Sequence, residues 1–540
     1  MTNIVDGKLF AQLVKNGYEN LKLDKEYINE LNVFPIPDGD TGTNMLATLE
    51  GGVNATISLD ERDIGKLSKL MARNMLMTAR GNSGVITSQI FKGIANGLVD
   101  KKEVNAKEFA YAFTMGTKQA YAVCKNPTEG TILTVVREAG EKAYNSVNEN
   151  SSIEEFFKYY LLEAKASLKR TPDLLPCLKE AGVVDSGAAG FIRVVEGMNM
   201  FLLGHVVTEE NKPTNNDTFN EDSTFDVGYT FEAKLQLLKS KCNIAKFDLE
   251  TIKPLISEYG QIDSCSINGT IVSVNMNTMF PGKVINVLQK YGEFILLDIK
   301  NELASCLPEV KNEEIKKAEH KEVAIVATSQ GEGISEVLEE LGVDEVVTGG
   351  QTMNPSTEDF IKAFKKLNAD TIIVFPNNSN IFMAASQAAE QYHDAKVVVL
   401  NSKSVATCYS CMSMFDLSEG VDNLIESFND IIENNTYGEI TYSIRDSEIN
   451  GVSIKKDQYI SILNHNIVAS SDDKVSALKE LLSHVDDIKY KEVLVLIYGK
   501  DVTEEQKEEV RSFLSSTYPR LEYGEIDGKQ DIYDFIISIE

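Results

Sequence analysis

Apolar residues recur at helical spacing through the first 205 residues of the chain. Segments such as YAFTMGTKQAYAVC, GTILTVVREAGEKAY and SIEEFFKYYLLEAKASL carry apolar side chains three or four positions apart, which places them on one face of a helix. Pro, Gly and Asn residues separate the segments and mark loops. The pattern predicts an all-α helical bundle or barrel for residues 1–205.

The pattern then changes twice. Residues 206–228 are polar, rich in Asn and almost without apolar periodicity, which is typical of a linker. Residues 229–303 follow the order strand, helix, two strands around Asn268-Gly269, helix and strand. Because Asn-Gly is a strong hairpin signal, this βαββαβ order predicts a small α+β domain of the ferredoxin-like type.

In residues 321–540 short apolar strands alternate with helices. VAIVAT, TIIVF and KVVVL are typical of buried strands in a largely parallel sheet, and the theme continues through VLVLIYG to the closing strand FIISIE. The predicted fold class is therefore multidomain: an all-α domain, a small α+β domain and an α/β domain. A chain of 540 residues exceeds what one hydrophobic core usually serves.

Charge and composition exclude several classes of function. The chain has 82 acidic and 53 basic residues, a formal charge of −29, which disfavours binding to nucleic acid or to an acidic membrane surface. No segment approaches the roughly 18 apolar residues of a transmembrane helix, and the polar N-terminus lacks the features of a signal peptide. Seven cysteines, sparse and odd in number, favour a reducing compartment. We expect a cytoplasmic protein.

Among these cysteines, Cys408 and Cys411 form a lone CxxC motif. A redox or metal-binding role would make such a pair chemically active, but the sequence offers no second pair for a zinc site. A redox or metal-binding role is therefore the less favoured interpretation of this pair.

The strongest local signal for chemistry is the acidic loop Asp38-Gly-Asp40-Thr-Gly42. Two carboxylates two residues apart on a tight turn suit a magnesium ion, which takes few protein oxygens and completes its shell with water and phosphate. The loop is followed by polar residues that open an apolar helix, where backbone amides favour a phosphate: Thr41, Thr43 and Asn44. An EF-hand is excluded because Gly42 and Leu49 stand where it needs ligands. From this loop alone, a plain capped turn remains an equal alternative.

Three further loops precede helices and are rich in small or polar residues. They are Ala79–Gly84, Asn126–Thr131 and Gly182–Gly190. For the first of them, helix capping by Ser83 is the simpler alternative to a phosphate contact. Four such loops at one end of a bundle would form a nucleotide site without a Walker motif, since GxxxxGK[ST] does not occur in the chain.

The loops carry a family resemblance. NVFPIPDGDTGTNM, ARGNSGVITSQI, PTEGTILTVVREA and RTPDLLPCLKEAGVVDSGAAG closely resemble the N-terminal domain of the FakA-type fatty acid kinases, which is similar to the ATP-binding L subunit of dihydroxyacetone kinase. VTGGQTMNPSTEDFIKAF and FPNNSNIFMAASQAAE resemble the C-terminal region of the same family, a degenerate relative of the DegV-type lipid-binding fold. The resemblance covers nearly the whole chain.

The resemblance implies the site residues. ATP and two Mg²⁺ ions are expected as cofactors, with Asp38 and Asp40 as catalytic residues and Asn32 as a third metal ligand of lower rank, because an amide brings no charge. The resemblance also assigns nucleotide-binding roles to a larger set: Thr41, Gly42, Thr43, Asn44, Gly81, Asn82, Ser83, Thr131, Ile132, Arg170, Asp185, Ser186 and Gly187. A surface charge at a helix end is the alternative for Arg170.

The implied reaction is transfer of the ATP γ-phosphoryl group to the carboxylate of a fatty acid. Because this acceptor is ionised at neutral pH, no general base is needed. In the family a separate fatty-acid-binding DegV-type protein presents the acceptor, and the C-terminal domain is then a docking or dimerisation module. The resemblance also implies a homodimer. Gly349–Ser356 is either an anion-binding loop or a structural turn between strand and helix.

One departure from the family concerns zinc. The middle domain of relatives carries a Cys and a His-x-His pair, where this chain has Thr230 and Asn275-Met-Asn277. Amides are poor zinc ligands, so zinc is not expected. Two alternative functions stay open: a dihydroxyacetone-type kinase, which the α/β half disfavours, and a non-catalytic lipid-handling scaffold, which the two aspartates disfavour.

Overall fold

The computed structural model describes residues 2–32, 39–124, 126–207, 229–242, 244, 247–257, 259–278, 281–301, 319–350, 354–418, 420–449 and 451–540. The chain divides into two compact units. One consists of Met1–Lys212 together with Lys317–Glu540, and the other is Pro213–Lys316. The helical and α/β regions, predicted as separate domains, thus pack into one unit.

The first region of this unit is a helical domain, as the apolar pattern predicts. Its helices are α1 (Gly7–Leu23), α2 (Lys25–Glu30), α3 (Thr41–Thr56), α4 (Ile64–Thr78), α5 (Gly81–Gly97), α6 (Ala106–Val123), α7 (Ile132–Ser146), α8 (Ile153–Leu174), α9 (Pro176–Ala181) and α10 (Ser186–Leu202). Two short strands, β1 (Ile4–Asp6) and β2 (Glu103–Asn105), pair antiparallel. This pair was not predicted, because three residues are too few to show an alternating pattern.

Aromatic packing fixes the centre of the helical domain. Phe109 contacts Phe10, Phe113, Phe156 and Phe157, with ring centroids 5.1 to 6.2 Å apart. These five side chains are almost fully buried, and tilted or edge-to-face aromatic pairs add to the stabilisation from burial alone. The helices that carry them therefore hold the surrounding loops in place.

The second unit contains an antiparallel four-stranded sheet. Its elements are β3 (Tyr229–Leu237), α11 (Lys253–Ser257), β4 (Gly260–Asn268), β5 (Ile271–Thr278), α12 (Pro281–Leu288) and β6 (Gly292–Asn301). The strand order is β4-β5-β3-β6, and the βαββαβ element order agrees with the pattern; the ferredoxin-like assignment stays a prediction. Of the residues at the zinc-type positions of relatives, Asn277 donates its side-chain amide to Asp263, and Met276, between Asn275 and Asn277, is buried in the apolar core.

The α/β region begins with a parallel sheet, as predicted. Its elements are β7 (Lys321–Ser329), α13 (Glu332–Glu340), β8 (Glu345–Thr348), α14 (Thr357–Lys366), β9 (Ala369–Phe375), α15 (Ser379–Gln391), β10 (Lys396–Val399), α16 (Val405–Ser413) and α17 (Val421–Asn434). The strand order is β10-β9-β7-β8, with every neighbouring pair parallel. The carboxyl ends of β9 and β10 consequently lie side by side.

The last hundred residues differ from the prediction in strand direction. Their elements are β11 (Thr436–Tyr442), β12 (Ser447–Ile449), β13 (Val452–Ile454), β14 (Tyr459–Leu463), β15 (Asn466–Ser471), α18 (Lys474–Ser483), β16 (Val493–Tyr498), α19 (Glu504–Thr517), β17 (Glu522–Asp527) and β18 (Phe535–Ile539). In the sheet β15-β14-β11-β18-β16-β17 only β16 and β17 pair in parallel. A tight turn through Asn464 and His465, both with positive φ, makes β14 and β15 a hairpin.

The CxxC cysteines are structural. Cys408 and Cys411 are both fully buried in α16, and burial raises the pKa of the Cys408 thiol to about 12, which disfavours the reactive thiolate. Among the described residues, no helix combines the length and apolar character required to cross a bilayer.

The helical domain and the α/β region share an apolar contact. Ala79 and Val85, at the end of α4 and the start of α5, belong to the same buried cluster as Val326, Phe360 and Ile381 of the α/β region. Arg80 also forms an isolated antiparallel bridge with Ser356. This contact brings the start of α5 against α14 and α15, directly beside the candidate site.

Candidate nucleotide and metal site

The starts of α3, α5, α7 and α10 meet at one cavity of about 510 Å³. Most of the predicted site residues line it: Asn32, Asp40, Thr41, Asn82, Ser83, Thr131, Ile132, Asp185, Ser186 and Gly187. The first amides of a helix have no partner within the helix and carry its positive dipole end. Four helix starts around one cavity therefore favour an anionic ligand such as a phosphate.

Asp40 is the described carboxylate of the acidic loop, and Asp38 lies outside the described residues. Asp40 directly precedes α3 and is 9% exposed. Burial raises its pKa to about 6, although hydrogen bonds from the Asn44 and Asn354 side chains act in the opposite direction. A buried acid stabilised only by neutral amides favours either a proton or a metal cation as its partner.

Hydrogen bonds between loops hold the cavity together. The hydroxyls of Thr41 and Ser186 lie 3.2 Å apart and join the starts of α3 and α10. Asp185 caps α10 by accepting from the amide of Ala188 at 2.7 Å, and it also accepts from the amide of Ile132 at the start of α7. Burial raises the pKa of Asp185 to about 6. Asp185 thus connects two of the four helix starts.

Gly42, Thr43 and Asn44 do not line the cavity. The Asn29 side chain accepts from the amides of Gly42 and Thr43 at 2.8 and 3.3 Å, so these amides already have a partner. Asn44 is buried against Gly81. These three residues therefore stabilise the first turn of α3 and do not face the cavity.

Gly81 does not line the cavity, and its backbone conformation shapes the contact between α5 and α3. Its φ of +56° is a conformation that side chains disfavour, and an added Cβ would lie 2.4 Å from the Asn44 amide nitrogen. The glycine therefore lets α5 begin against α3. Its neighbour Asn82 lines the cavity, donates to Asn380 at 3.2 Å, and has a buried Oδ1 without a partner among the described residues.

Thr131 and Arg170 contrast in position. Thr131 caps α7, accepting from the amide of Leu133 and donating to the carbonyl of Thr128, and all three residues line the cavity. Arg170 lies outside the cavity lining, half exposed, with its guanidinium 2.7 Å from Glu138 and 2.8 Å from Glu163. Two carboxylates therefore hold Arg170 away from the place that the family resemblance implies.

The α/β region forms the other wall of the cavity, which the sequence did not predict. Its lining residues are Asn378, Ser379, Asn380, Met383, Lys403, Glu439, Ile462, His465 and Tyr533. Asn378 and Lys403 follow β9 and β10, and the carboxyl edge of parallel strands is where ligands bind in such sheets. That rule was the available signal, applied to FPNNSN after the strand TIIVF.

Two charged groups distinguish this second wall. Lys403 is the only lysine or arginine among the described residues that line the cavity. Glu439 is buried, and burial raises its pKa to about 7 despite hydrogen bonds with Ser404 and Tyr533. The second wall therefore offers a lysine and a buried acid whose charged form burial disfavours.

The donor set fits magnesium better than zinc. The cavity presents carboxylate, amide and hydroxyl oxygens from Asp40, Asn32, Asn82 and Thr41, which are the ligand types that magnesium prefers. No group of three or more His, Cys, Asp or Glu side chains suited to a metal occurs within the described part of the chain. A metal here would rely on Asp40, water and ligand phosphates, together with Asp38 if the sequence prediction is correct.

Comparison with known families matches both halves of the composite unit. The chain matches a family model described as the DAK2 domain over residues 35–200 and a model for the C-terminal region of FakA-like fatty acid kinase proteins over residues 324–540. Fold and cavity together define the class: a DAK2-domain protein whose helical domain is joined to a characteristic α/β region.

Full-length relatives identify the family. Protein YloV of Bacillus subtilis is 37% identical over 559 residues, covering 99% of each chain. The chain therefore belongs to the FakA-like family of fatty acid kinase proteins, which confirms the resemblance drawn from the loop motifs.

Solved structures give more distant likenesses. DegV of Bacillus subtilis, described as a fatty acid binding protein, aligns with a TM-score of 0.32 and 12% identity, covering 40% of this chain and 98% of its own. The dihydroxyacetone kinase of C. freundii, solved with AMP-PNP and Mg²⁺, aligns with a TM-score of 0.28 and 19% identity, covering 35% of this chain and 33% of its own.

Proposed function

We propose that the chain is the catalytic subunit of a fatty acid kinase. In this proposal it uses ATP and magnesium to phosphorylate the carboxylate of a fatty acid, which a separate DegV-type binding protein presents. The acyl phosphate produced would supply lipid synthesis in the cytoplasm. The single observation that carries the proposal is the convergence of four helix starts and the buried Asp40 on one cavity.

The size and lining of the cavity suit a nucleotide. Its volume of about 510 Å³ lies within the range of roughly 300 to 1,000 Å³ that small-molecule sites occupy. Ile86, Ile132 and Leu133 offer an apolar surface for a base, while Thr41, Ser83 and Ser186 offer polar contacts near the helix starts. A ligand that combines an apolar ring with phosphates would use both kinds of contact.

Phosphoryl transfer to a carboxylate depends on positioning of the two anionic reactants and not on proton transfer. A carboxylate oxygen attacks the γ-phosphorus, and the bond from that phosphorus to the β–γ bridging oxygen breaks, so that ADP leaves with the electron pair. No proton moves in this step, because the acceptor is already ionised. The helix starts and Lys403 would bind and orient the anionic groups. Magnesium, held by Asp40 with Asp38 and Asn32, would supply charge neutralisation to the phosphates.

The two alternative functions differ in what they ask of the site. A dihydroxyacetone-type kinase must activate a neutral hydroxyl, whereas a fatty acid kinase need not. A non-catalytic scaffold would have no use for a buried carboxylate like Asp40, whose raised pKa shows that its charge is costly to the fold. The family membership and the carboxylate-rich loop support the fatty acid kinase, and a homodimer is part of the same proposal.

The test is ATP turnover with magnesium and a fatty-acid-loaded DegV-type protein, comparing native chain with Asp40→Asn and Asp38→Asn. We expect both variants to lose about a hundredfold or more in rate, the usual cost of removing a group that stabilises transition-state charge. The matched control is Asp60→Asn, which removes an exposed carboxylate paired with Lys8.

Two results would refute the proposal. Unchanged turnover in Asp40→Asn would show that the buried carboxylate has no role in phosphoryl transfer. Acceleration of ATP use by dihydroxyacetone, but not by the loaded DegV-type protein, would assign the chain to the alternative kinase class.

A further inference from the structure

A residue of the α/β region contacts the acidic loop directly. Asn354 belongs to the segment Gly349–Ser356, for which the sequence left an anion-binding loop and a structural turn as alternatives. Its side-chain amide donates to Oδ2 of Asp40, across 314 positions of the chain. Asn354 is 2% exposed, so this hydrogen bond is shielded from water.

The backbone around Asn354 is fixed to the helical domain. The Arg80 guanidinium donates to the carbonyl of Asn354 at 3.4 Å, and the amide of Thr357 donates to the carbonyl of Ala79 at 3.2 Å. Arg80 and Ser356 also form the isolated bridge. Contacts on both sides of Pro355 therefore set the position of the Asn354 side chain before any ligand binds.

We propose that Asn354 is a positioning residue of the metal and nucleotide site, which the α/β region supplies to the helical domain. Its amide holds one oxygen of Asp40 and so restricts rotation of the carboxylate that is to bind the cation. This inference rests on the proposed function only in taking the cavity as a magnesium and nucleotide site. It makes the α/β region a structural part of that site as well as a candidate docking module.

The chemistry of the contact indicates that Asn354 orients the Asp40 carboxylate and does more than hold the two regions together. Asparagine is neutral, so its hydrogen bond orients Asp40 without cancelling the negative charge that a cation needs. Within the described part of the chain, the side chains that hydrogen-bond Asp40 are the neutral amides of Asn44 and Asn354. Outer-shell hydrogen bonds of this kind orient metal ligands, and their loss typically costs about 10-fold to 100-fold in metal affinity.

A second atom of Asn354 is also available. Its Oδ1 is buried and has no hydrogen-bond partner among the described residues, and buried polar atoms are seldom left unpaired in native structures. An acceptor beside a magnesium ligand is suited to a water molecule of the ion's hydration shell. At a metal site, the Asn354 amide nitrogen would thus hold Asp40 and its Oδ1 would accept from a water molecule of the ion.

The same interface provides a matched control. Gln387 of α15 accepts from Gln89 of α5 at 3.3 Å and is 5% exposed. It is a buried amide at the contact between the two regions, but it neither lines the cavity nor touches a carboxylate. Gln387→Ala therefore perturbs the interface without changing the surroundings of Asp40.

The experiment measures metal binding rather than turnover. Mn²⁺ affinity is determined by calorimetry on the full chain in the presence of ADP, and ADP affinity is determined separately in EDTA. We expect Asn354→Ala to weaken Mn²⁺ binding by about tenfold or more, with metal-free ADP binding unchanged. Gln387→Ala should stay close to the native value. Asn354→Ser, a smaller polar change, provides a second variant if the alanine form does not fold.

The outcomes separate this inference from the proposed function. Equal losses in Asn354→Ala and Gln387→Ala would show that only the interface was loosened, and would overturn the positioning role. Native Mn²⁺ affinity in Asn354→Ala, with loss in Asp40→Asn, would overturn the positioning role while leaving the proposed function intact. Native affinity in Asp40→Asn would overturn the metal assignment on which both depend.

Discussion

The two walls of the cavity are built in different ways. The helical wall presents backbone amides and capping side chains at four helix starts, and Thr131 and Asp185 are already hydrogen-bonded to their own helices. The α/β wall presents side chains beyond strand ends, including the ionisable groups Lys403, Glu439 and His465. The carboxylates of the helical wall, Asp40 and Asp185, are thus placed by local structure at helix starts, whereas Lys403 and Glu439 of the α/β wall reach the cavity only through tertiary folding.

The largest effect expected from this comparison is at Lys403, because no other lysine or arginine among the described residues lines the cavity. Hydrogen bonds to charged groups contribute about 1.5 to 3 kcal/mol, so Lys403→Met should lower kcat/KM for ATP turnover about tenfold or more. Lys500→Met is the matched control, since Lys500 pairs with Asp531 and does not line the cavity. Equal turnover in the two variants would mean that the α/β wall contributes no functional charge.

A second test uses the pH dependence of stability at Glu439. Burial raises its pKa from 4.5 to about 7, so between these values the folded state binds more protons than the unfolded state, and this group makes stability fall as pH rises. Glu439→Gln should remove that loss and stabilise the protein by roughly 2 to 3 kcal/mol above pH 7, with little difference near pH 4.5.

The measurement is the midpoint of urea unfolding from pH 4.5 to 8. Other titratable groups lie near Glu439 and are present in both proteins: Tyr533, which is hydrogen-bonded to it, Tyr437, Lys403 and His465. Glu522→Gln, an exposed carboxylate on β17, controls for the change in net charge. A native-like pH profile in Glu439→Gln would contradict the assigned burial of the acid.

The smallest effect is expected at Arg170. Because Arg170 is half exposed and paired with Glu138 and Glu163, Arg170→Ala should change ADP affinity by less than about twofold and stability by under about 1 kcal/mol. Calorimetric titration of ADP measures the first quantity. A tenfold loss of affinity would show that Arg170 leaves its carboxylates to reach the nucleotide, as the family resemblance implies.

The sequence predicted the helical wall better than the α/β wall, for physical reasons. Thr131 and Asp185 are capping residues just before apolar helical runs, and capping is a local interaction that a short segment specifies. Their meeting at one cavity was a hypothesis drawn from four similar loops before helices, and the family resemblance supported it; periodicity did not show it. Lys403 and Glu439 lie hundreds of residues away in the chain, and no local pattern encodes that proximity.

Strand direction is likewise a long-range property that local sequence patterns do not encode. The segments TYSIRD and YISIL contain the apolar residues of ordinary strands, but composition does not distinguish parallel from antiparallel pairing. The turn at Asn464 and His465 takes positive φ at both residues, which His adopts less readily than Gly. The hairpin was therefore missed, while the Asn268-Gly269 hairpin was predicted correctly.

The long chain separation between Asp40 and Asn354 also has a consequence for synthesis. Domains generally fold from the N-terminus as the chain emerges, at about 5 to 20 residues per second, and 314 positions separate the two residues. For roughly 15 to 60 s of translation, a folded helical domain would therefore exist with its acidic loop and without the amide that orients it. A nascent chain in that interval would have only the helical wall of the cavity, because the residues that line the α/β wall lie in the last third of the polypeptide.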